Sequence, residues 1–306
     1  MIDKAAVSKN DDSDGVSLTS VSQVTDITNP INKTPALLIG NREVITDRYV
    51  STKISNQPEN YKYKIYIRLN AIKQEFEKVS FLHCVFDTCY FNNCSFNSCN
   101  FTGCRFIGCN LHQSSFSGCT FDYAVFERCQ IDDDILESEA PKQENLKMRF
   151  ARSLRMNFQQ VGDAKAVNKA ISLELGATAA YLKKSWSSSE SYYSKKFPGW
   201  KKVPQFFKWC EFKLLDFIWG NGESPLKLLR TIVLIHLFIT IYDVIGFKDI
   251  WDIRNYMTSL LYSPGIFFGI ENPHHYPVWI TSLIAASRLI GFAFLTAILV
   301  KRFGRR

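Results

Sequence analysis

The 306 residues contain no phosphate-cradling glycine loop, no H-E-x-x-H and no G-x-S-x-G. The nucleotide-binding, zinc-protease and serine-hydrolase chemistries built on those motifs therefore have nothing to act through. Histidine is scarce at five, and His83 and His112 stand at no metal-ligand spacing. No enzyme activity, cofactor or metal is expected. The first 35 residues hold no apolar run; Ser, Thr, Asp and Asn dominate. Such a stretch cannot bury enough surface to offset its ordering entropy, so a disordered tail is expected over 1–35. It also lacks the apolar core of a signal peptide, and export by that route is not expected.

What is present is segregated along the chain. An apolar share of 46% with 22% charged residues excludes global disorder, and the length suggests two or three units. The segment YKYKIYIRL from Tyr61 alternates apolar and basic residues, which reads as a strand. A period of five then begins. Phe76, Phe81, Phe86, Phe91, Phe96, Phe101, Phe106, Leu111, Phe116, Phe121, Phe126 and Ile131 occupy twelve successive positions at that spacing. Two residues ahead of them run Cys84, Cys89, Cys94, Cys99, Cys104, Cys109, Ser114, Cys119, Ala124 and Cys129. A helix would repeat at 3.6 and a flat strand at 2. A solenoid with four five-residue faces per coil accounts for five. One large apolar side chain per face points inward, and one small side chain fills the space beside it. Eight of the nine cysteines share that phase. A disulfide framework or a metal site would use them. The same phase also accepts Ser114 and Ala124, which favours stacked small side chains, such as Cys89 over Cys109 over Cys129, in a reducing compartment.

On these residues the array resembles the pentapeptide-repeat family, with Cys and Phe at the positions of its usual Ala and Leu. The resemblance implies a short right-handed quadrilateral β-helix. Over 76–131 it amounts to nearly three coils, about 13 Å at strand spacing, preceded by an N-terminal cap region at 36–75.

Beyond Ile131 an acidic stretch, DDDILESE, reads as cap and linker. Pro141 to Cys210 carries 14 Lys and Arg against four acids. Leu146, Phe150, Leu154 and Phe158 lie at helical spacing, and the Gly162-Asp163 break predicts an antiparallel helical hairpin reaching about Lys184. Ser185 to Pro204 reads as a loop at a membrane surface. The basic region over 132–226 is expected to face the anionic inner leaflet; no nucleic-acid reading motif accompanies it.

Two apolar stretches close the chain, Thr231–Phe247 and Val278–Val300, the second with 17 apolar residues of 23. About 20 such residues span a bilayer, so a two-span membrane domain is expected over 227–306. Lys227 and Arg230 before the first stretch, and Lys301 and Arg302 after the second, place both ends in the cytoplasm by the positive-inside rule. Asp243 lies 13 residues from Arg230 and Arg288 lies 13 from Lys301. Equal depth suggests an intramembrane ion pair or part of an ion path. Ser282, Ala286, Ala293 and Ala297 form a small-residue row suited to close helix packing, and a homo-oligomer is expected. Between the stretches, YMTSLLYSPGIFFGI is too short to span and fits a re-entrant segment.

This order of elements resembles the two-transmembrane ion-channel fold. It is also similar to bacterial membrane proteins that join a pentapeptide repeat, a basic helical region, a GYGESP-like motif (here Trp219 to Pro225) and two spans; Asn157 to Asp163 shares in that resemblance. A potassium filter would read close to T-x-G-Y-G-D, and Ser263 to Gly269 does not, so potassium selectivity is not implied. The expected function is an oligomeric, channel-like protein of the bacterial inner membrane with a cytoplasmic repeat module for sensing or assembly. The alternative is a membrane-anchored scaffold, or a secreted effector, with a protein partner on the β-helix. Gyrase inhibition by DNA mimicry needs an acidic rod, and residues 76–131 carry a net charge of only −1.

Overall fold

The computed structural model describes residues 42–55 and 61–303. The expected tail over 1–35, and part of the expected cap region, lie outside the described residues. The described residues from Glu43 onward belong to one compact unit, which begins with a β-solenoid.

Nine short strands, β1 (Val44–Thr46), β2 (Ile54–Ser55), β3 (Ile65–Ile67), β4 (Glu75–Glu77), β5 (Val85–Asp87), β6 (Ser95–Asn97), β7 (Arg105–Ile107), β8 (Ser115–Ser117) and β9 (Val125–Glu127), stack in two parallel ladders. Odd-numbered strands form one ladder and even-numbered strands the other. The two remaining faces are held by single bridges, Tyr49–Asn70–Tyr90–Asn110–Gln130 and Ser80–Asn100–Thr120. The chain passes the β1 face five times, so the solenoid completes four turns. Its start at Val44 lies well ahead of the expected Phe76, and the segment from Tyr61 is not one long strand but two faces of a coil. The reason is local. From Tyr66 onward equivalent residues are 20 apart, as in Tyr66↔Phe86↔Phe106↔Phe126. In the first coil the offset is 21 at Ile45↔Tyr66 and 22 at Ile54↔Phe76, which breaks the exact period.

Stacked rings form the core. Tyr66, Phe86, Phe106 and Phe126 make one column, with successive centroids 5.2, 4.9 and 5.0 Å apart. Phe76–Phe96–Phe116 and Phe81–Phe101–Phe121 make two more; Ala71, Phe91 and Leu111 line the fourth face, all buried. From Tyr63 onward each coil corner carries a residue with positive φ, for example Arg68 at 53°, His83 at 55° and Gly108 at 59°. Non-glycine residues there cost about 1 kcal/mol or more. Corner hydrogen bonds to the next coil offset the strain, as in His83 N to Thr102 O at 2.9 Å. Gly103 is the corner that requires glycine. A Cβ there would collide with the His83 ring, which stacks on Tyr63 at 5.6 Å.

The cysteine positions do more than fill space. Cys84, Cys89, Cys99, Cys104, Cys109 and Cys119 each donate to the carbonyl 23 residues back, at 2.8–3.4 Å; Cys94 and Ser114 do the same. All nine cysteines are free thiols. Cys109 sits between Cys129, whose hydrogen bond favours the thiolate, and Cys89, which together with burial disfavours it; the balance lies upward, at about 12.

The last coil would expose an open sheet edge, and the following residues cover it. Asp132 accepts from Gln113 N at 2.7 Å and meets His112 at 2.8 Å. Glu139 accepts from Gly118 N and Cys119 N at 3.1 and 2.6 Å; burial raises its carboxyl above the ordinary value. The acidic stretch is thus a built cap, with a one-turn helix α1 (Ile135–Ser138) pressing Ile135 and Leu136 into the core. Helix α2 (Glu144–Val161) lies against β9. Its Ser153, Asn157 and Gln160 accept from Phe126 N, Cys129 N and Arg128 N at 2.9, 2.6 and 2.9 Å. Gly162 ends α2 in the left-handed region at φ 86°. Asp163 then caps α3 (Ala164–Ser187) by accepting from Lys165 N and Ala166 N. The Asn157 to Asp163 motif is therefore a ladder cap followed by a helix turn. Glu174 holds Arg152 and Arg155 at 2.8 Å each, and Lys184 faces Glu144 at 3.6 Å, which fixes α2 and α3 antiparallel.

Ser185 to Pro204 is not a loop. α3 runs to Ser187, α4 spans Ser191–Lys196, and α5 (Lys202–Trp219) starts before Pro204. Pro204 sits in the first turn of α5, where a missing N–H is tolerated. Then come α6 (Pro225–Phe247), α7 (Ile253–Phe268) and α8 (Val278–Phe303).

Candidate functional site

Helices α6 and α8 are long and apolar enough to cross a membrane, with mean hydropathies of 1.9 and 2.2 in their most apolar windows. Only 28% and 11% of those windows is buried. A core helix of a soluble protein would be mostly covered, so their apolar surface lies outside the fold.

The turn between α5 and α6 is the elbow that sets them. Gly220 and Gly222 adopt φ 67° and 84°. Ser224 caps α6 through Lys227 N, and Pro225 fills the first helical position. Trp219 stacks on Phe294 of α8 at 4.1 Å. Lys227 pairs with Asp216 at 2.7 Å, and Lys301 of α8 pairs with Glu223. These groups border a cavity of about 590 Å³ between α3, the elbow and α8.

The Glu223–Lys301 contact corrects the expected depth argument. Lys301 is level with Glu223, ahead of α6, and not with Arg230 inside it. From Pro225, Asp243 lies about 27 Å along α6; from Lys301, Arg288 lies about 20 Å along α8. They are not level, and each is engaged elsewhere. Asp243 and Arg288 therefore do not pair. Asp243, with an 8% exposed side chain, accepts from Ser259 at 2.7 Å and pairs with Lys248 at 2.8 Å and His275 at 3.3 Å. Arg288 donates through Nη1 to the Phe268 carbonyl at 2.6 Å, satisfying a carbonyl at the open end of α7. Gly269, at φ 77°, allows that approach; a Cβ there would strike the guanidinium.

A polar seam joins α6 and α7. Ser259 meets Asp243, and Ser263 meets His236 at 3.3 Å. The antiparallel register follows: α7 descends alongside α6, and the turn at Gly269 brings the chain back to Tyr276, which packs on Tyr242 at 5.3 Å. Glu271, Asn272, Thr281 and Arg288 line a cavity of about 220 Å³ at this turn. Gly269, Ile270, Glu271 and Asn272 are all exposed. So are Ser282, Ala286, Ala293 and Ala297; α8 uses Ile280, Ile284 and Ile298 for its buried contacts instead. The sequence singled out Asp243 but paired it with Arg288, and Pro264-Gly265, which reads there as a break, lies inside α7, whose turn comes at Gly269; Lys248, Ser259 and His275 were not singled out. The spacings gave no register signal for them: His236 and Asp243 are seven residues apart, Ser259 and Ser263 only four.

Among the described residues no group of three or more His, Cys, Asp and Glu could hold a metal ion. These features define a β-solenoid capped by a helical hairpin and joined to two candidate membrane helices. Residues 67–136 match the family of the pentapeptide repeat region. No curated protein matches the chain.

Proposed function

We propose that the chain is a two-span protein of a bacterial inner membrane whose copies assemble around a polar, channel-like path, with the solenoid as a cytoplasmic assembly or sensing module. One observation carries this reading: the exposed, irregular backbone at Gly269–Asn272. Arg288, which holds the end of α7, stands about 20 Å along a span of about 35 Å from Lys301 to Val278. The turn then lies inside the hydrocarbon layer. Non-helical backbone at that depth is tolerated only where protein covers it or water lines it. The single chain leaves it open, with the Glu271 carboxylate on it. Other copies must cover it, or an aqueous path must run past it, and a ring of copies does both. The exposed small-residue row on α8 offers the close contact between copies.

A membrane-anchored scaffold is the second reading. It draws on the satisfied state of the charges: Asp243 is engaged by Lys248 and His275, and Arg288 by a backbone carbonyl. Ion flux from liposomes separates the two. The channel-like reading expects flux that changes its ion preference in Arg288→Gln and its magnitude in Asp243→Asn. No flux at any salt, voltage or pH, with insertion demonstrated, leaves the spans as an anchor.

A further inference from the structure

Helix α5 buries none of its residues below the surface of the fold, although it is rich in large apolar side chains. Val203, Phe207, Cys210, Leu214 and Phe217 succeed one another at spacings of 4, 3, 4 and 3. That places them on one face. Val203, Phe207, Leu214 and Phe217 are 44–66% exposed. Trp200, in the 3-10 turn Gly199–Lys201 that leads into α5, is 89% exposed. The opposite side of α5 is occupied, because α3 packs there and Trp186 meets Trp209 at 5.5 Å. Among the described residues no helix covers this apolar stripe; only its Phe217 end is overlaid, by the Arg230 guanidinium.

Three observations name its occupant. Six lysines and one glutamate lie between Lys195 and Lys213, and Lys202 and Lys213 border one side of the stripe on the helix. The stripe also runs into the exposed apolar side of α6, where Leu226, Leu229 and Val233 are 75, 57 and 49% exposed. The two surfaces are tied at the elbow: Arg230 donates to the Phe217 carbonyl with its guanidinium 4.2 Å over the Phe217 ring, and Thr231 donates to the Ile218 carbonyl at 2.8 Å.

The geometry points to an in-plane role for α5: its Val203–Phe217 stripe, with Trp200 in the turn ahead of it, enters the acyl boundary of the leaflet where α6 begins, and its lysines meet anionic headgroups. A helix with one apolar face and lysines beside it lies in that boundary. Cationic side chains reach headgroup phosphates while their stems cover hydrocarbon. The inference rests on the reading of α6 and α8 as spans, and it adds a third membrane contact that is not a span. A second copy is the competing occupant, since a 4-3 stripe also suits helix pairing. The lysine border and the continuity with α6 favour lipid.

The test uses the full chain in vesicles of mixed zwitterionic and anionic phospholipid, with and without bromine on the acyl chains. Bromine quenches tryptophans that touch the acyl region. Trp200 is so exposed that Trp200→Phe leaves the fold intact. The share of emission quenched should fall in Trp200→Phe, and fall also in Trp279→Phe, which removes a tryptophan at the start of α8. A fall for Trp279→Phe but none for Trp200→Phe overturns the in-plane placement while leaving the spans. No fall for either overturns the placement together with the membrane reading beneath it. A bismaleimide that joins two copies through Cys210 in the same vesicles also overturns it, by showing that the stripe faces a second chain.

Discussion

Asn157 is fully buried and makes two hydrogen bonds to the last coil: Oδ1 accepts from Cys129 N at 2.6 Å, and Nδ2 donates to Cys129 O at 2.8 Å. Asn157→Ala leaves both backbone groups of Cys129 without a partner and out of reach of water. An orphaned buried group costs roughly 1–3 kcal/mol. Partial relaxation of the end coil brings the pair to about 3 kcal/mol, or roughly 100-fold in the local opening equilibrium. The thiols report it in place. Maleimide labelling resolved by peptide mass, in a Cys210→Ser background, follows each solenoid cysteine separately. Where closing outpaces labelling, the rate follows the open population. Cys129 should label roughly 100-fold faster in Asn157→Ala, Cys109 one coil inward by less, and Cys84 unchanged. Asn157→Asp keeps the acceptor but loses the donor and should fall between. An unchanged Cys129 rate would refute the capping argument. Equal acceleration of Cys84 and Cys129 would mean that the solenoid opens as a whole and that α2 does not protect one edge.

Two further outcomes follow from the same packing. Burial raises the Glu139 carboxyl above its ordinary 4.5, so the folded chain binds a proton that the unfolded chain has already released. Stability should therefore decline as pH rises from 4.5 through the raised value, and thermal melts of Glu139→Gln should lack that slope; an equal slope in both proteins removes Glu139 as its source. Gly103→Ala should destabilise the solenoid by strain at positive φ and by collision with His83. In a double-mutant cycle His83→Ala should return the collision part and not the strain, and strict additivity would show that the ring simply moves aside.

The solenoid was legible wherever one residue type held one phase. Phe and Cys at five-residue spacing fix the inward positions from Phe76 to Ile131, and the ring columns follow from that phase. The first coil was not legible because its spacing varies, and the start of the second was not because Tyr66 and Ala71 replace phenylalanine. α5 was hidden by having apolar residues on most of its faces: one face packs on α3, and the other belongs to a surface that a sequence does not display. The apolar lengths of α6 and α8 announced themselves. The pairing of Asp243 did not, because its depth was counted from Arg230, whereas the chain sets Lys301 level with Glu223. A five-residue error in an anchor displaces a helical residue by about 7 Å, enough to exchange one partner for another. The thiols show a subtler limit. Ser114 and Ala124 indicated that only size mattered, yet the cysteines also donate to carbonyls of the preceding coil, a geometry that needs the coil rise as well as the phase.

The central claim is that the Gly269–Asn272 turn meets water within the thickness of the membrane. Glu271→Cys, introduced with Cys210→Ser and reconstituted in liposomes, tests it through reaction with a charged, membrane-impermeant maleimide. The account predicts labelling by that reagent in intact liposomes, and slower labelling when permeant ions crowd the path. Reaction with a lipid-soluble maleimide alone, in protein shown to be inserted, would place the turn against lipid or sealed protein and contradict the channel-like reading.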